Sequence, residues 1–340
     1  MSRAQLTSTV EQNTGGAVAP FVAGKNKIIN GDFGIWQRGI SFSTPANNAY
    51  TADRWCIQYN SSPTFTVNQQ AFTPGTAPVA GYESTYYLQD QITAGSSSTV
   101  HQIVQRMEDV RLFAGQTVTI SGWVKSDSSR SFAFYCDQNF GSGGSSTVYN
   151  AIISSTFSAT TSWQRFTYTA TLPSISGKTI GIGSYLLVGI GLSSASTSQT
   201  ISIWGVQLEA GSVATPFTTA SGTLQGELSL CQRYYWRAGG DNSTQTFGVG
   251  SGISSTASVF YIQNPVPMRA APSSTIDYGT LNVTDGVNYG YGCTSVVMTT
   301  AGRLGSYITA NVASGLTVNR FHYLRSNFTT SDYLGFSAEL

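Results

Sequence analysis

Thr117-Val-Thr-Ile-Ser-Gly-Trp-Val-Lys125 alternates along its length, with Val118, Ile120 and Val124 sharing one face with Gly122. Apolar residues at period two are the mark of a strand with one face in a core. Arg165-Phe-Thr-Tyr-Thr-Ala-Thr-Leu172 repeats the pattern and ends at Pro173. Thr200-Ile-Ser-Ile-Trp-Gly-Val-Gln-Leu208 alternates too, with a shift near Gly205 that implies a bulge. Ser131–Cys136 and Ile180–Leu192 add two more candidate strands. From Asn26 to Phe217 no helical period intervenes, so the pattern predicts an antiparallel sandwich rather than βαβ units.

Composition narrows the function classes. The 340 residues carry 17 Lys+Arg and 16 Asp+Glu, a net charge of +1, and charged residues make only 10% of the chain. An ordinary soluble domain carries about 25%. Binding nucleic acid by neutralising phosphates needs basic patches, which this chain does not supply. No stretch approaches the ~18 apolar residues of a membrane span, and the amino terminus has no secretory signal pattern. Cys56, Cys136, Cys231 and Cys293 are far apart and read as free thiols.

Outside the sandwich, residues 1–25 are rich in Ser, Thr, Gln and Gly and read as an arm. Leu224, Leu228, Cys231 and Tyr235, spaced 4, 3 and 4 apart, predict a short helix with Thr223 as N-cap and a stop at Gly239-Gly240. From about Asp241 the β pattern returns, with Val296–Met298, Ser306–Ala310 and Phe321–Leu324 as strands.

Catalytic chemistry finds no support. Glu108-Asp109 is the one acidic cluster, and adjacent acids in a strand point to opposite faces, so the pair reads as a solvated turn. Asp127 and Asp137 read as turn or strand-end residues, and Asp53-Arg54 as a local ion pair. His101 and His322 have no metal-ligand spacing and read as structural. Gly181-Ile-Gly183 and Gly248–Gly252 lack what a phosphate loop requires, and no nucleophile elbow is present. The remaining signal is aromatic. Rings stack on the apolar faces of sugars, and Tyr, Ser, Asn and Gln pair sugar hydroxyls. Trp123, Trp163 and Trp204 read as core, whereas Tyr86, Tyr87, Tyr289 and Tyr291, read as loop residues, are the candidate glycan contacts.

Two motifs extend this reading. One is Asn26-Lys-Ile-Ile-Asn-Gly-Asp-Phe-Gly-Ile-Trp-Gln-Arg-Gly39 with Tyr50-Thr-Ala-Asp-Arg-Trp55. The other is Gly205-Val-Gln-Leu-Glu-Ala-Gly-Ser-Val-Ala-Thr-Pro-Phe217 with Glu227-Leu-Ser-Leu-Cys-Gln-Arg-Tyr-Tyr-Trp236. Together they resemble a group of bacteriophage tail-fibre and virion appendage proteins, in which they bracket a jelly-roll domain. The bracketed region is also similar to carbohydrate-binding modules that open with Asn-Gly-Asp-Phe-Glu and often hold a structural calcium. Gly34 replaces that Glu, and the closing strand reads Ile203-Trp-Gly-Val206 without acids, so the likeness extends to the scaffold rather than the metal site.

Pattern and resemblance together give an all-β chain: a jelly-roll β-sandwich, which the resemblance implies, with a short linker helix and a second, smaller C-terminal β domain, which the pattern predicts. Residues 1–25 would be a virion anchor, 26–220 the jelly roll, 221–240 the linker and 241–340 the distal domain. It implies a non-catalytic virion protein, assembled in the host cytoplasm as a homotrimer and docked on other virion proteins through the arm. Its expected role is a tail fibre or receptor-binding protein on a bacterial surface glycan; a capsid decoration, head fibre or tail-assembly component without ligand is the alternative. A surface depolymerase is a third. No cofactor, nucleic acid or membrane insertion is expected.

Overall fold

The computed structural model describes residues 24–61, 63–94, 100–192, 197–239, 242–287 and 290–340. Almost all of the arm read at 1–25 lies outside the described residues, as does Tyr289. Among the described residues the chain is all-β apart from one short helix. It forms two compact units: the described residues up to Gly34, Ile40–Thr51 and Trp55–Glu227, and then Ile35–Gly39, Ala52–Arg54 and Leu228–Leu340. Two short segments read within the jelly roll, 35–39 and 52–54, thus belong to the second unit.

The first unit is a sandwich of two antiparallel sheets. One has six strands, in the order Ser41–Ser43, Thr64–Ala71, Tyr86–Ala94, Gln199–Ala210, Thr117–Ser126 and Gln164–Thr171. The other is a five-stranded sheet, in the order Trp55–Tyr59, His101–Met107, Tyr185–Leu192, Arg130–Asn139 and Val148–Ile153, extended by a short sixth strand, Phe157–Ala159, beside Arg130–Asn139. The chain passes repeatedly from one sheet to the other, as in a jelly roll. The expected bulge is present: the register of Gln199–Ala210 against Thr117–Ser126 shifts between Trp204 and Gln207, with Gly205 at φ 64°. Glycine suits that left-handed position because it has no Cβ to strain.

Both motifs of the sandwich close it with buried polar groups. Asn26 Oδ1 accepts from the Ile28 and Leu208 amides, at 2.9 and 3.1 Å, and its Nδ2 donates to Val206 O and Thr218 O. Gln105 makes a reciprocal pair with the backbone of Ile29, 2.9 Å from its N–H and 2.8 Å to its carbonyl. Glu227 accepts from Asn30 N at 2.8 Å and Ser221 N at 2.6 Å, and Trp55 Nε1 donates to Asn30 O. A side chain at Gly31 would overlap Val206 O, which explains the glycine there. Burial alone would raise the Glu209 carboxyl, but bonds from the Thr215 amide and hydroxyl, Gln207 and Lys25 hold it below its ordinary value.

Both histidines are structural and buried. The His101 ring meets Asp90 at 2.6 Å and packs edge-on to Phe65. His322 Nδ1 lies 2.6 Å from Ser258 Oγ.

The helix spans Leu224–Gln232, and Gly226 N donates to the N-capping Thr223 hydroxyl at 3.0 Å. Its burial follows the predicted face at Cys231 and departs from it in the first turn, where Leu224 is exposed and Glu227 is buried. The polar demands of the opening motif, rather than an apolar stripe, orient its first turn. The predicted linker ends early, because Tyr235–Gly239 is already a strand.

The second unit contains a three-stranded sheet, Tyr235–Gly239, Tyr333–Ser337 and Ile276–Tyr278, in which Trp236 stacks on Phe336. It also contains a closed six-stranded barrel, in the order Thr246–Ser254, Ala257–Gln263, Gly305–Val312, Tyr291–Thr300, Leu281–Thr284 and Phe321–Ser326. Phe260, Ile308, Ala310 and Leu324 fill it. The Asp53-Arg54 pair does not act as the local ion pair expected. Asp53 accepts from the Gln37 amide and lies 3.8 Å from Arg38, while Arg54 pairs with Glu339 and lies over the Tyr234 ring. Burial pushes the Asp53 carboxyl up to about 6, against the pull of Arg38 and Gln37.

Asn26→Ala strands the donors and acceptors that this buried amide serves, and should lower stability by about 2–4 kcal/mol in urea denaturation. Ser41→Ala, on an edge strand, should change it by no more than about 0.5 kcal/mol. Because the folded Asp53 value is raised, its neutral form favours folding below the unfolded value. That contribution should disappear as pH rises from about 4 to about 6. Denaturation of the wild type and Asp53→Asn across this window should show the variant's pH slope reduced.

Candidate functional site

Three places in the sandwich present polar and aromatic side chains together, and they differ in what they leave free. The first is the outer face of the six-stranded sheet. Gly122 faces inward toward Phe134, so its neighbour Trp123 points out, opposite Trp204 in the adjacent strand. There Phe72, Trp123, Trp204 and Phe217 form a second hydrophobic cluster, with Tyr82, Tyr87 and Trp163 against it. The tryptophans read as core are therefore packed outside the sandwich interior. Tyr87 is consumed in the cluster, 4.8 Å from Phe72 and 5.3 Å from Trp163, with Lys125 Nζ 5.0 Å from both the Tyr87 and Trp163 rings.

The second is a cavity of about 370 Å³ lined by Asp32, Tyr82, Glu83, Tyr86 and Leu224 among others. Tyr82 donates to Asp32 Oδ2 at 3.3 Å. Burial raises the Asp32 carboxyl, and the neighbouring Glu227 raises it further. This is where the calcium of similar modules would be sought, but the donors do not fit that ion. Gly34 offers no side-chain oxygen, and Glu227 spends both oxygens on backbone amides. Among the described residues no group of three or more His, Cys, Asp or Glu could hold a metal.

The third is the outer face of the five-stranded sheet, and it joins the most chemistry. Period-two alternation sets Ile57, Ile103 and Val188 inward, and Cys56, Gln58, Gln102, Val104 and Arg106 outward. Cys56, Val104, Tyr135 and Leu187 form a small cluster with Tyr50 and Tyr185 against it. The Tyr135 ring lies across Gly189, where any Cβ would overlap it, and its hydroxyl donates to Gln102 Oε1 at 2.5 Å. Arg106 lies 5.5 Å from the Tyr185 ring centroid, and Arg106 and Gln58 both donate to Asn48 Oδ1, at 2.5 and 2.8 Å.

Asp137 stands on the same face and accepts from Asn150 N at 2.7 Å; burial raises its carboxyl above the ordinary value. Burial likewise raises the Tyr185 hydroxyl, with Arg106 opposing the shift. Tyr149 is 74% exposed beside it. The face thus combines half-buried rings, amides, a guanidinium and a carboxyl held by side-chain packing.

Of the candidate contacts read from sequence, Tyr86 and Tyr87 sit on a strand rather than a loop, one at the cavity and one in the aromatic cluster. Tyr291 also begins a strand and packs against the barrel core, its ring covering Gly315. None of these is on the five-stranded face. The residues that are there carried a signal, namely Gly189 and Gly191 two apart in an apolar strand. Such glycines mark close approach by another group.

Comparison with known proteins finds likeness for part of the chain. The model of a family described as a carbohydrate binding domain matches residues 54–184. Similar solved structures include a CBM4 module, at 18% identity over 54% of this chain and 98% of that one, with a TM-score of 0.33. Another is a xylan-binding CBM22 domain from Paenibacillus barcinonensis, at 15% identity over 52% and 95%, with a TM-score of 0.33. A third is the enzymatically active domain of a tailspike protein of bacteriophage CBA120, at 13% identity over 55% and 22%, with a TM-score of 0.34. No curated protein matches the chain.

Gly189→Ala forces the Tyr135 ring off the sheet. Overpacking of this kind costs about 1–3 kcal/mol. Thermal denaturation should show that loss, and near-ultraviolet circular dichroism should show the tyrosine environment changed.

Proposed function

We propose that the first unit binds a carbohydrate chain along the outer face of its five-stranded sheet. The observation that carries this is the union of Tyr50, Tyr135 and Tyr185 with Gln58, Gln102, Arg106 and Asp137 on one face. The half-buried Tyr50 and Tyr185 rings, packed against the buried Tyr135, offer stacking surfaces for pyranoses, and amides and charged groups pair hydroxyls in fixed directions. The match of residues 54–184 to a carbohydrate binding domain supports the same reading.

Our reading of the whole protein is a non-catalytic bacteriophage virion component, a tail fibre or receptor-binding protein that attaches to a bacterial surface glycan. Its support is the motif pair at residues 26–55 and 205–236 and the charge-poor composition. A homotrimer suits this reading, since Val249, Phe321 and Tyr323 leave exposed apolar surface on the barrel strands. Repeated weak sites on a trimer would give avidity without a tight single site.

A glycan array spanning neutral and acidic bacterial polysaccharides should show binding by the full chain. Tyr185→Ala and Arg106→Ala should each weaken it about tenfold, as expected for loss of one stacking or charge-assisted contact. Absence of binding to every host envelope fraction would refute the attachment role. Light scattering should return about three times the 36.1 kDa chain mass, and a monomer mass would refute the trimer.

A further inference from the structure

The second unit holds a concave site that the sandwich reading does not use. A cavity of about 610 Å³ is lined by Tyr261, Pro267, Gly302, Arg303, Leu304 and Gly305. That size is within the range of small-molecule sites. Two features define its chemistry.

The first is an aromatic surface, formed by Tyr261 in the lining and by Tyr307 beside it. Tyr261 and Tyr307 are directly opposite on neighbouring strands, with ring centroids 5.2 Å apart. They remain 45% and 49% exposed, although a pair this large normally finds cover. Gly305 lets the Tyr261 ring lie down on the backbone, because any Cβ there would overlap its hydroxyl. Neither hydroxyl has a hydrogen-bond partner among the described residues.

The second is Arg303. Its backbone is pinned on both sides: Met268 N donates to Arg303 O at 2.8 Å, and Asn264 Nδ2 donates to the same oxygen at 2.9 Å. Asn264 is itself held by Trp236 Nε1 at 3.0 Å. Arg303 Nε donates to Met268 O at 2.8 Å, which sets the direction of the guanidinium and leaves its terminal nitrogens available. Among the described residues it has no carboxylate partner. A pre-aimed, unpaired guanidinium is suited to a planar oxyanion gripped by two parallel bonds.

We propose that this cavity is a second glycan site, specific for a sugar that carries a carboxylate. A pyranose would stack on the Tyr261–Tyr307 surface while its carboxylate meets Arg303. The two phenol hydroxyls and the backbone around Gly302 and Gly305 would pair ring hydroxyls. The site is independent of the five-stranded face in the first unit. The protein would then read two chemically different sugars, one of them by its carboxylate.

Calorimetric titration of the full-length protein with an α-1,4-linked galacturonate hexamer, its carboxyl-reduced counterpart and sialyllactose tests this. At least one acidic probe should bind, the reduced hexamer should bind at least tenfold more weakly, and raised salt should weaken the acidic complex. Arg303→Leu should cost about tenfold or more and Arg303→Lys less, since one point charge replaces the bidentate fork. Tyr307→Ala, an exposed position, should also weaken binding, whereas Tyr185→Ala should leave it unchanged. The proposal is overturned if neither acidic probe binds, if the reduced hexamer binds equally, or if Tyr185→Ala alone abolishes binding. Loss of neutral-sugar binding in Tyr185→Ala, with acidic binding intact, would separate the two sites.

Discussion

A side-chain amide at Asn26 holds four backbone groups in the interior of the first unit, and the closure of the sandwich depends on it. Opening and closing segments of a jelly roll are distant in sequence and have no ladder of their own to satisfy every amide. Left unpaired, each such group would cost a substantial part of the unit's stability. Asn26, Gln105 and Glu227 fill this need from three points in the chain, and Gly31 allows Val206 to approach. The long motifs that bracket the domain are therefore explained by polar satisfaction rather than by ligand chemistry.

The same economy governs charge. In a chain with 10% charged residues, several charges are buried: Glu209 and Glu227 in the sandwich, the Asp90–His101 pair, and Asp53 with Arg54 in the second unit. Each is surrounded by hydrogen bonds or an opposite charge, the condition under which burial of a charge is tolerated. What is left on the outer sheet faces is mainly aromatic, amide and hydroxyl, with Lys125 over the rings of one face and Arg106 and Asp137 on the other.

Much of the architecture was legible. Alternation located the sandwich strands, the break near Gly205 located a bulge, and Thr223 marked the helix start. Asp127 and Asp109 are turn residues, as read, each with an arginine close by in sequence. The site was much less legible. Tyr86, Tyr87 and Tyr291 read as loop residues in the sequence, yet all three are on strands. A ring that packs on its neighbours and a ring that meets solvent have the same sequence signature, since alternation assigns a side chain to a face but does not say what covers it. Trp123 and Trp204 show this most clearly: they alternate as core residues do, and are buried, but on the outer side of their sheet under Phe72 and Phe217.

The amino-acid sequence by itself determined the all-β class, the strand positions and the scarcity of charge, because these follow from local period and composition. Only the tertiary structure decided which residues share a face. Tyr50, Gln102, Arg106, Tyr135 and Tyr185 come from four separate segments, and Arg303 lines one cavity with Tyr261 across 41 intervening residues. Such constellations are set by strand order and register, which depend on long-range pairing and the satisfaction of buried polar groups. Neither is encoded in the spacing of any one segment.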